Sequence, residues 1–519
     1  MEKLLSVAEM QSVEREANDK GLSYATMMEN AGSILAKFIN ATYGDKKERT
    51  VLALVGSGNN GGDALVALCK LMECGWKTCA YVVKARHIGD ALLNRYTQRG
   101  GLFIDAQDDI DRKILGEQLR QSAVLIDGVL GTGARLPMPA EIAKALSFVG
   151  LVLSEKSKHP TVVAVDCPSG VDCDTGDAAP EVVQADITFT MGAVKRGLLA
   201  FPAANFVGEI RVGEIGDVYG LSSWTGIKRG VLTDQDIFQY LPSRPRNAHK
   251  GTFGTVLLIA GSGNYPGAVL LAGMGAYRIG AGLVKIAVPE LIFSSLIGVL
   301  KEATWVSLPQ DRGWISEGAI PIITAAIPGV SALLLGPGMG LEKTTRVFLQ
   351  GLIKQDLPRT VIDADGLKLL AGIPDWYSIL TQQAVLTPHP GEMSVLTGLT
   401  REEIQSNRIE VAEKYARLWG KVLVLKGAYT VIAEPGGSTA IVPVATPALA
   451  RAGTGDVLAG LIAGLLAQGV APFQAACAGA YIHAKAGLEA EKEQGNSASV
   501  LAGDLLGVLP KILSKYNKQ

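Results

Sequence analysis

Short apolar runs of strand length recur along the chain, and each leads directly into a polar or glycine-rich loop. A strand that is buried on both faces, as in a parallel sheet, has such a continuous apolar sequence. The runs are Thr50–Val55, Ala123–Asp127, Thr161–Val165, Thr255–Ala260, Ala332–Leu335, Thr360–Ile362, Ala384–Leu386 and Lys421–Leu425. Stretches with helical periodicity separate them, and alternating strands and helices build a parallel sheet that is covered on both faces. The sequence therefore predicts an α/β chain made of three-layer α/β/α domains.

A chain of 519 residues is too long for one ordinary domain. Periodicity is lost between Gly216 and Arg229, where glycine and serine collect. A new helix then opens at Thr233, three residues before Asp236, in the pattern of a capping box. We therefore predict two domains, residues 1–224 and 225–519.

The charge and cysteine content exclude several classes of partner. A formal net charge of −1 creates no overall field that would attract a polyanion, so we expect no nucleic acid. No apolar run reaches the ~18 residues that a bilayer requires, so we expect no membrane association. The six cysteines form no C-x-x-C pair, which argues against structural zinc and favours free thiols in the reducing cytoplasm.

Three strand ends in the first half carry aspartates. The first apolar run ends in a loop of eight turn-type residues, Gly56–Asp63, and a helical run follows from Ala64. Two further runs end at Asp127 and Asp166. Since carboxyl ends of parallel strands share one edge, where ligands bind, we expect the three carboxylates to converge. The alternative is that the loop is only an Asx-rich turn and that each aspartate caps a helix.

A second site is indicated by Ala452–Gly460 in the last quarter of the chain. Glycines there precede an apolar run of helical spacing, so backbone N–H groups converge at a helix start that attracts phosphate. Asp456 in the first turn is placed to take a proton from a hydroxyl that attacks a phosphoryl group. The alternative is a tight turn in which Asp456 only stabilises the helix.

The first half resembles the NAD(P)H-hydrate epimerase family. The resemblance rests on Asn59-Asn60-Gly61-Gly62-Asp63, Asp127 with Gly131-Thr132-Gly133, Asp166-x-Pro168-Ser169-Gly170-Val171-Asp172, Lys195-x-Gly197-Leu198 and Gly208-Glu209-Ile210. It implies a Rossmann-like domain with a potassium ion held by Asn60, Asp127 and Ser169. It also implies that the hydrated nicotinamide nucleotide contacts Asn59, Asn60, Gly61, Gly62, Asp63, Gly131, Thr132, Gly133, Ala134, Arg135, Leu136, Pro137 and Asp166. We assign Asp166 as the catalytic carboxylate, because it can move a proton and stabilise positive charge at C6.

The second half resembles the ribokinase-like ADP- or ATP-dependent NAD(P)H-hydrate dehydratases, through Thr387-Pro388-His389-Pro390-Gly391-Glu392 and the later Gly453-Thr454-Gly455-Asp456 turn. The resemblance implies that the hydrated cofactor contacts Ala268, Gly338, Gly340, His389 and Asp456. It implies that the adenine nucleotide contacts Lys426, Gly427, Ala428, Tyr429, Thr430, Gly453 and Gly455. Glu392 is a candidate to bind Mg²⁺ through water, and the ligands of Mg²⁺ are left open at this point. The sequence departs from the family at Ala448 and Ala452, where many members have glycine.

The sequence thus predicts a bifunctional enzyme that epimerises R- and S-NAD(P)HX and dehydrates the S form. ADP, giving AMP and phosphate, or ATP would drive the dehydration, with Asp456 as the catalytic base. The substrates would be NADHX and NADPHX, and we expect a homo-oligomer. The competing interpretation is a ribokinase-like kinase for a vitamin-precursor alcohol, fused to a non-catalytic binding scaffold.

Overall fold

The computed structural model describes residues 1–46, 48–155 and 159–516. The chain forms two compact units: the N-terminal unit spans Glu2–Lys228 and the C-terminal unit begins at Arg229. The N-terminal unit therefore ends four residues after residue 224, the predicted end of the first domain.

The N-terminal unit alternates strands with α-helices from its second to its sixth strand. Its strands are β1 (Glu2–Leu5), β2 (Thr50–Val55), β3 (Lys77–Val82), β4 (Leu102–Asp105), β5 (Val124–Gly128), β6 (Thr161–Val165), β7 (Ile187–Met191), β8 (Val194–Lys195) and β9 (Glu209–Gly213). Its helices are α1 (Val7–Asp19), α2 (Tyr24–Tyr43), α3 (Asn59–Glu73), α4 (Ala91–Gln98), α5 (Lys113–Gln121), α6 (Ala140–Ser154) and α7 (Ser222–Thr225).

Seven of these strands form one sheet in the order β4-β3-β2-β5-β6-β7-β9. Every neighbouring pair in it is parallel. Strands β2, β5 and β6 are adjacent, and Leu54 pairs with Asp127, which pairs in turn with Ala164. The loops after these three strands therefore begin side by side at one edge of the sheet.

Both faces of this sheet are covered. Val51, Ala53 and Val55 of β2 pack in a core with residues of helices α1 to α4. The alternate residues Leu52 and Leu54 point to the other face and are equally buried, as are apolar side chains of α5 and α6. Burial on both faces explains why the strands are continuously apolar.

The C-terminal unit is larger. Its strands are β10 (Arg229–Val231), β11 (Thr255–Ile259), β12 (Leu283–Pro289), β13 (Thr304–Leu308), β14 (Gln310–Asp311), β15 (Trp314–Ile315), β16 (Ala332–Leu335), β17 (Arg359–Ile362), β18 (Ala384–Leu386), β19 (Val422–Leu425), β20 (Val431–Ala433) and β21 (Thr439–Ile441). Its helices are α8 (Asp234–Tyr240), α9 (Pro266–Arg278), α10 (Glu290–Leu296), α11 (Ala319–Ala326), α12 (Lys343–Leu352), α13 (Asp365–Leu370), α14 (Trp376–Ile379), α15 (Pro390–Thr397), α16 (Arg401–Ser406), α17 (Arg408–Trp419), α18 (Thr454–Ala467), α19 (Pro472–Gln494) and α20 (Ala502–Leu513).

Its main sheet runs in the order β13-β12-β11-β16-β17-β18-β19-β20-β21-β10. All pairs from β13 to β19 are parallel. Strand β20 is antiparallel to both of its neighbours, and β21 and β10 are parallel. The loops after β16, β17, β18 and β19 consequently leave the sheet next to one another.

Helices cover both faces of this sheet as well. Helices α9, α18, α19 and α20 share a core with Val256, Leu258 and Leu334. The alternate residues Leu257 and Leu333 are fully buried outside that core, as are side chains of α12, α13 and α17. The two α/β units with parallel sheets confirm the predicted fold class.

Local structure confirms the predicted strands to within two residues and the capping box at Thr233. Two predicted loops extended into the first turns of helices. Helix α3 begins at Asn59, so Asn59–Asp63 form its first turns and not a loop before Ala64. His389 is the N-cap of α15, with Pro390 in the first turn. In both places turn-forming residues also suit a helix start, where backbone N–H groups need side-chain acceptors or a ligand.

Candidate active sites

A cavity of about 1100 Å³ opens in the N-terminal unit. Helices α1, α2 and α3 and the loops after β2, β5 and β6 all contribute to its lining. The predicted site residues that line the cavity are Asn59, Asn60, Asp63, Gly131, Thr132, Gly133, Ala134 and Asp166. The structure therefore brings together the ends of three adjacent strands, as their sequence pattern predicts.

The first turn of α3 offers unoccupied donors to this cavity. Within the part of the chain that the structure describes, the amides of Asn59, Asn60 and Gly61 have no acceptor; the first bond of the helix is Gly62 N–H to Gly58 O at 3.2 Å. Such a helix start carries about half a positive charge and binds phosphate groups. It is suited to the pyrophosphate of a dinucleotide.

The remaining predicted residues lie outside the cavity lining. A β-carbon at Gly61 would lie 2.1 Å from Gly56 O, and one at Gly62 would lie 2.7 Å from Met28 Sδ. These two glycines let helix α3 pack closely against its neighbours. Arg135, Leu136 and Pro137 are exposed, and their contact with a ligand stays a prediction.

Asp166 lies in a buried network. It adopts a left-handed backbone conformation, with φ of 64°, which turns its side chain toward β7 and β8. Its Oδ1 accepts hydrogen bonds from Met191 N at 3.0 Å and Thr190 Oγ1 at 3.1 Å, and it forms an ion pair with Lys195. Lys195 is 1% exposed and donates to Met191 O at 2.7 Å.

Lys195 is a site residue that the sequence analysis did not select. Its signal was its place in the Lys195-x-Gly197-Leu198 motif, which contributed to the family resemblance. A buried lysine requires a partner of opposite charge. Here that partner is the predicted catalytic carboxylate.

Asp127, Asn60 and Ser169 lie together beside the cavity. Asp127 is 1% exposed and accepts hydrogen bonds from Ser169 N at 2.8 Å and Ser169 Oγ at 2.5 Å. Asn60 Nδ2 donates to Val165 O at 2.5 Å and Leu130 O at 3.1 Å. Burial raises the pKa of Asp127, and no cationic side chain pairs with it in the described residues. A buried carboxylate among amide and carbonyl oxygens fits a hard cation such as K⁺.

In the C-terminal unit, helix α18 begins at Thr454 with Gly453 as its N-cap. Gly453 has φ of 89°, which a residue with a β-carbon adopts only under strain. The amides of Gly455 and Asp456 find no acceptor among the residues that the structure describes. This helix start is therefore also suited to bind an anion.

Side-chain hydrogen bonds hold the first turn of α18 in place. Thr454 Oγ1 donates to Leu449 O at 2.9 Å and to Arg451 O at 2.8 Å. Nε2 of the buried His483 lies 2.8 Å from Thr454 O, and burial lowers the pKa of His483 to about 4. The imidazole is therefore neutral at pH 7 and donates to the carbonyl. Sequence reasoning missed His483, because its contact depends on the packing of α19 against α18.

A charged cluster lies beside the amides of α18. Lys426 Nζ is 2.7 Å from Asp363 Oδ1 and 3.6 Å from Glu392 Oε2. A β-carbon at Gly455 would lie 3.5 Å from the same Nζ. The loops after β17, β18 and β19 thus meet the helix start. Lys426 is the partner of two buried carboxylates, and its contact with a nucleotide stays a prediction.

Asp456 belongs to this cluster. Burial and the nearby Asp363 raise the pKa of Asp456 to about 7, although Lys426 opposes the shift. A carboxylate with a pKa near the working pH is suited to act as a general base.

His389 has a defined local role. Its Nδ1 accepts hydrogen bonds from Gly391 N at 2.9 Å and Glu392 N at 3.3 Å, and its own amide donates to Glu392 Oε2 at 2.9 Å. Burial lowers the pKa of His389 against the attraction of Glu392. The imidazole is half-exposed; its Nδ1 caps α15, and its Nε2 lies 3.4 Å from Glu392 Oε1.

The other predicted residues of this half lie in the first turn of α9 and on the loops after β16 and β19. A β-carbon at Gly338 would lie 3.2 Å from Cβ of Ala268, and Gly340 N donates to Asp365 Oδ2 at 2.9 Å. After β19, Gly427 and Ala428 are exposed, and Thr430 Oγ1 donates to Gly427 O at 2.9 Å. Tyr429 has φ of 52°. Contacts of these residues with a nucleotide stay predictions.

The part of the chain described by the structure contains no set of three His, Cys, Asp or Glu side chains placed to hold a metal ion. Mg²⁺ in phosphoryl-transfer sites usually binds one or two carboxylates together with the phosphates of the nucleotide. Asp363 and Glu392, which both pair with Lys426 beside the α18 amides, offer the one or two carboxylates of that mode. None of the described helices has both the length and the apolarity needed to cross a membrane.

Comparison with known protein families divides the chain in the same way. Residues 24–197 match the family profile of the YjeF-related protein N-terminus, and residues 256–511 match that of NAD(P)H-hydrate dehydratase. A crystal structure of ADP/ATP-dependent NAD(P)H-hydrate dehydratase from Bacillus subtilis, co-crystallised with ATP/Mg²⁺, is 32% identical, with a TM-score of 0.46. The match covers 55% of this chain and 98% of that chain.

Two full-length relatives match almost the entire chain. The bifunctional NAD(P)H-hydrate repair enzyme Nnr of Moorella thermoacetica is 36% identical, covering 99% of this chain and 97% of the relative. The protein of the same name from Escherichia coli is 31% identical, covering 96% of this chain and 92% of the relative. The chain belongs to the family of bifunctional NAD(P)H-hydrate repair enzymes.

Proposed function

We propose that the protein repairs hydrated nicotinamide cofactors in two steps. The N-terminal unit interconverts R- and S-NAD(P)HX, and the C-terminal unit dehydrates S-NAD(P)HX with ADP or ATP as the phosphoryl donor. One observation carries the proposal: each unit has a helix start with free backbone amides beside a cluster of strand-end carboxylates. The end-to-end match to repair enzymes favours this function over a kinase fused to a binding scaffold.

In the N-terminal unit, the α3 amides would hold the dinucleotide phosphates and leave the nicotinamide ring near Asp166. In the hydrated cofactor, C6 carries a hydroxyl and adjoins the ring nitrogen, so a cationic or ring-opened intermediate can invert its configuration. The Asp166 carboxylate would stabilise positive charge and move a proton at C6. Lys195 holds that carboxylate in one orientation.

In the C-terminal unit, Asp456 would take the proton of the C6 hydroxyl, whose oxygen attacks the terminal phosphoryl group of the nucleotide. The free amides of Gly455 and Asp456 would stabilise the transferring charge. The phosphate then leaves C6, a proton is lost from the neighbouring C5, and the C5–C6 double bond of the dihydronicotinamide is restored. With ADP, the other product is AMP.

Each unit contains oxygen ligands that are suited to one cation. Asn60, Asp127 and Ser169 would hold K⁺, which would neutralise the buried carboxylate beside the epimerase cavity. Glu392 and Asp363 would hold Mg²⁺ together with the nucleotide phosphates, and Mg²⁺ supplies Lewis-acid stabilisation of the transferring phosphoryl group. A cytoplasmic location and homo-oligomeric assembly stay predictions from the sequence.

Recovery of NADPH tests the proposed function. We expect the full chain with Mg²⁺, K⁺ and ADP or ATP to convert a racemic mixture of hydrated NADPH completely, seen as the return of reduced-nicotinamide absorbance with stoichiometric inorganic phosphate. Conversion that stops when the S form is exhausted would contradict the epimerase assignment. A stable phosphorylated product without phosphate release would instead indicate a kinase.

Dehydration should depend on pH through Asp456. Because the base must be ionised and its pKa is raised to about 7, kcat/KM for the S form should fall as pH decreases below about 7 and level off above it. The measurement is kcat/KM between pH 5.5 and 9 at saturating nucleotide and Mg²⁺. A profile that is flat across pH 6–8 would argue against Asp456 as the base.

A further inference from the structure

The epimerase cavity holds more carboxylates than the mechanism above uses. Glu14, Asp63 and Asp166 all line it. Asp166 is bound to Lys195, but Asp63 has no hydrogen bond or ion pair with any residue that the structure describes. Asp63 is only 8% exposed, and a buried, unpartnered carboxylate carries a large desolvation cost. Either a ligand contacts it or it carries a proton.

The charges around Asp63 favour the protonated form. Burial, followed by Asp166 and then Glu14, raises its pKa well above the ordinary value, and only Lys195 opposes the shift. Burial also raises the pKa of Glu14.

The other charged groups that line the cavity offer Asp63 little compensation. Glu29 of α2 is paired with Arg95 of α4 at 3.0 Å, and Lys84 after β3 is exposed to solvent. Asp63 is the fifth residue of α3, beyond the first turn in which the helix dipole stabilises an anion most.

We propose that Asp63 enters the epimerase reaction as a carboxylic acid and donates its proton to the departing C6 hydroxyl, with Asp166 as the complementary base. This inference rests on the proposed epimerase function. Two carboxyl groups in such different environments, one unpartnered and one bound to a lysine, are suited to opposite roles in proton transfer.

The atoms and electrons balance without a further reagent. The C6–O bond breaks, its electron pair goes to oxygen, and the hydroxyl leaves as water with the Asp63 proton. The lone pair of the ring nitrogen forms a double bond to C6, and the carboxylates offset the positive charge. Water then adds to the opposite face of C6, the π electrons return to nitrogen, and Asp166 takes the proton. Proton exchange between the carboxyl groups restores the starting state, and the reverse direction exchanges the two roles.

Glu14 acts here as a positioning residue. Its carboxylate faces the same cavity from α1 and disfavours a negative charge on Asp63. It would keep Asp63 protonated at the working pH without itself contacting C6. Glu14 is therefore expected to alter the pH dependence of epimerisation more than its maximum rate.

The test uses Asp63→Asn in the full chain. We expect kcat for epimerisation, followed by chromatography of the R and S forms, to fall ~10²–10⁴-fold because the acid is lost, with little change in KM. Dehydration of purified S form should be unchanged because its site lies in the C-terminal unit, and the retained KM for epimerisation shows that the N-terminal unit still folds and binds substrate. Asp108→Asn, which changes an exposed carboxylate of the same unit, is the matched control and should epimerise normally.

Glu14→Gln and infrared spectroscopy give independent readouts. Since the acid must be protonated, epimerisation is lost as pH rises through the pKa of Asp63. Glu14→Gln removes a neighbouring negative charge, so that alkaline limb should move to lower pH while the rate at its acidic plateau is kept. A protonated-carboxyl band in the unaltered chain should disappear in Asp63→Asn.

Three results would overturn the inference: a higher KM with unchanged kcat in Asp63→Asn, an unmoved pH profile in Glu14→Gln, or no loss of the carboxyl band. The failure of the proposed function is a different result, because the unaltered chain would then not epimerise at any pH.

Discussion

Asp456→Asn should reduce dehydration of S-NAD(P)HX by ~10²–10⁴-fold, the usual loss when a general base is removed. Asparagine keeps the shape of the side chain at the start of α18, but it cannot take the proton of the attacking hydroxyl. The free amides of Gly455 and Asp456 belong to the backbone, so nucleotide binding should persist. The measurement is the rate of NADPH recovery from purified S form with saturating ADP or ATP.

Epimerisation serves as the internal control for Asp456→Asn. Its site lies in the other compact unit, so interconversion of the R and S forms should continue at the rate of the unaltered chain. Asp356→Asn is the matched charge control, because Asp356 is exposed and precedes β17 at the end remote from the site loops. Loss of both activities in Asp456→Asn would contradict two separate sites, and retained dehydration would remove Asp456 as the base.

The sequence was sufficient to predict the fold and the side of each sheet that carries the site. Strands that are apolar on both faces are typical of a parallel sheet. In such a sheet the carboxyl ends of the strands share one edge, so Asp127 and Asp166, which follow two of the strands, are expected at that edge. The adjacency of β2, β5 and β6 is known only from the structure. What the pattern did not separate was a loop from the first turn of a helix, at Asn59 and at His389, because the same residue types suit both.

The partners of the predicted residues depended on tertiary structure. Lys195 reaches Asp166 from a strand 29 residues later, and His483 reaches Thr454 from a neighbouring helix. Periodicity reports which face of an element is buried, but it contains no information about which distant polar group lies opposite. For the same reason, the sequence presented Lys426 as a nucleotide ligand and did not indicate its ion pairs with Asp363 and Glu392.

Lys426→Met should destabilise the C-terminal unit by ~3–5 kcal/mol at neutral pH, the cost of leaving buried carboxylates without their cation. Asp363 and Glu392 are 1% and 4% exposed, so water cannot replace the ammonium group. Chemical denaturation of the full chain, with hydrogen exchange in peptides from residues 360–425, should show the loss. Peptides from the N-terminal unit provide the reference, and Lys354→Met, at an exposed lysine, is the matched control.

The decisive measurement is the pH dependence of the difference in unfolding free energy between the unaltered chain and Lys426→Met. Burial alone would lower the pKa of Lys426, but attraction by Asp363 and Glu392 outweighs burial and raises it. A raised pKa in the folded state gives stabilisation that is complete below the unfolded value of ~10.4 and lost as pH rises through the folded value. The gap in unfolding free energy between the unaltered chain and Lys426→Met should therefore be constant from pH 7 to 9 and shrink above about pH 10.5. If Lys426 only contacted nucleotide, the variant would bind ADP more weakly without any gap in stability, and the ion-pair cluster would have no structural role.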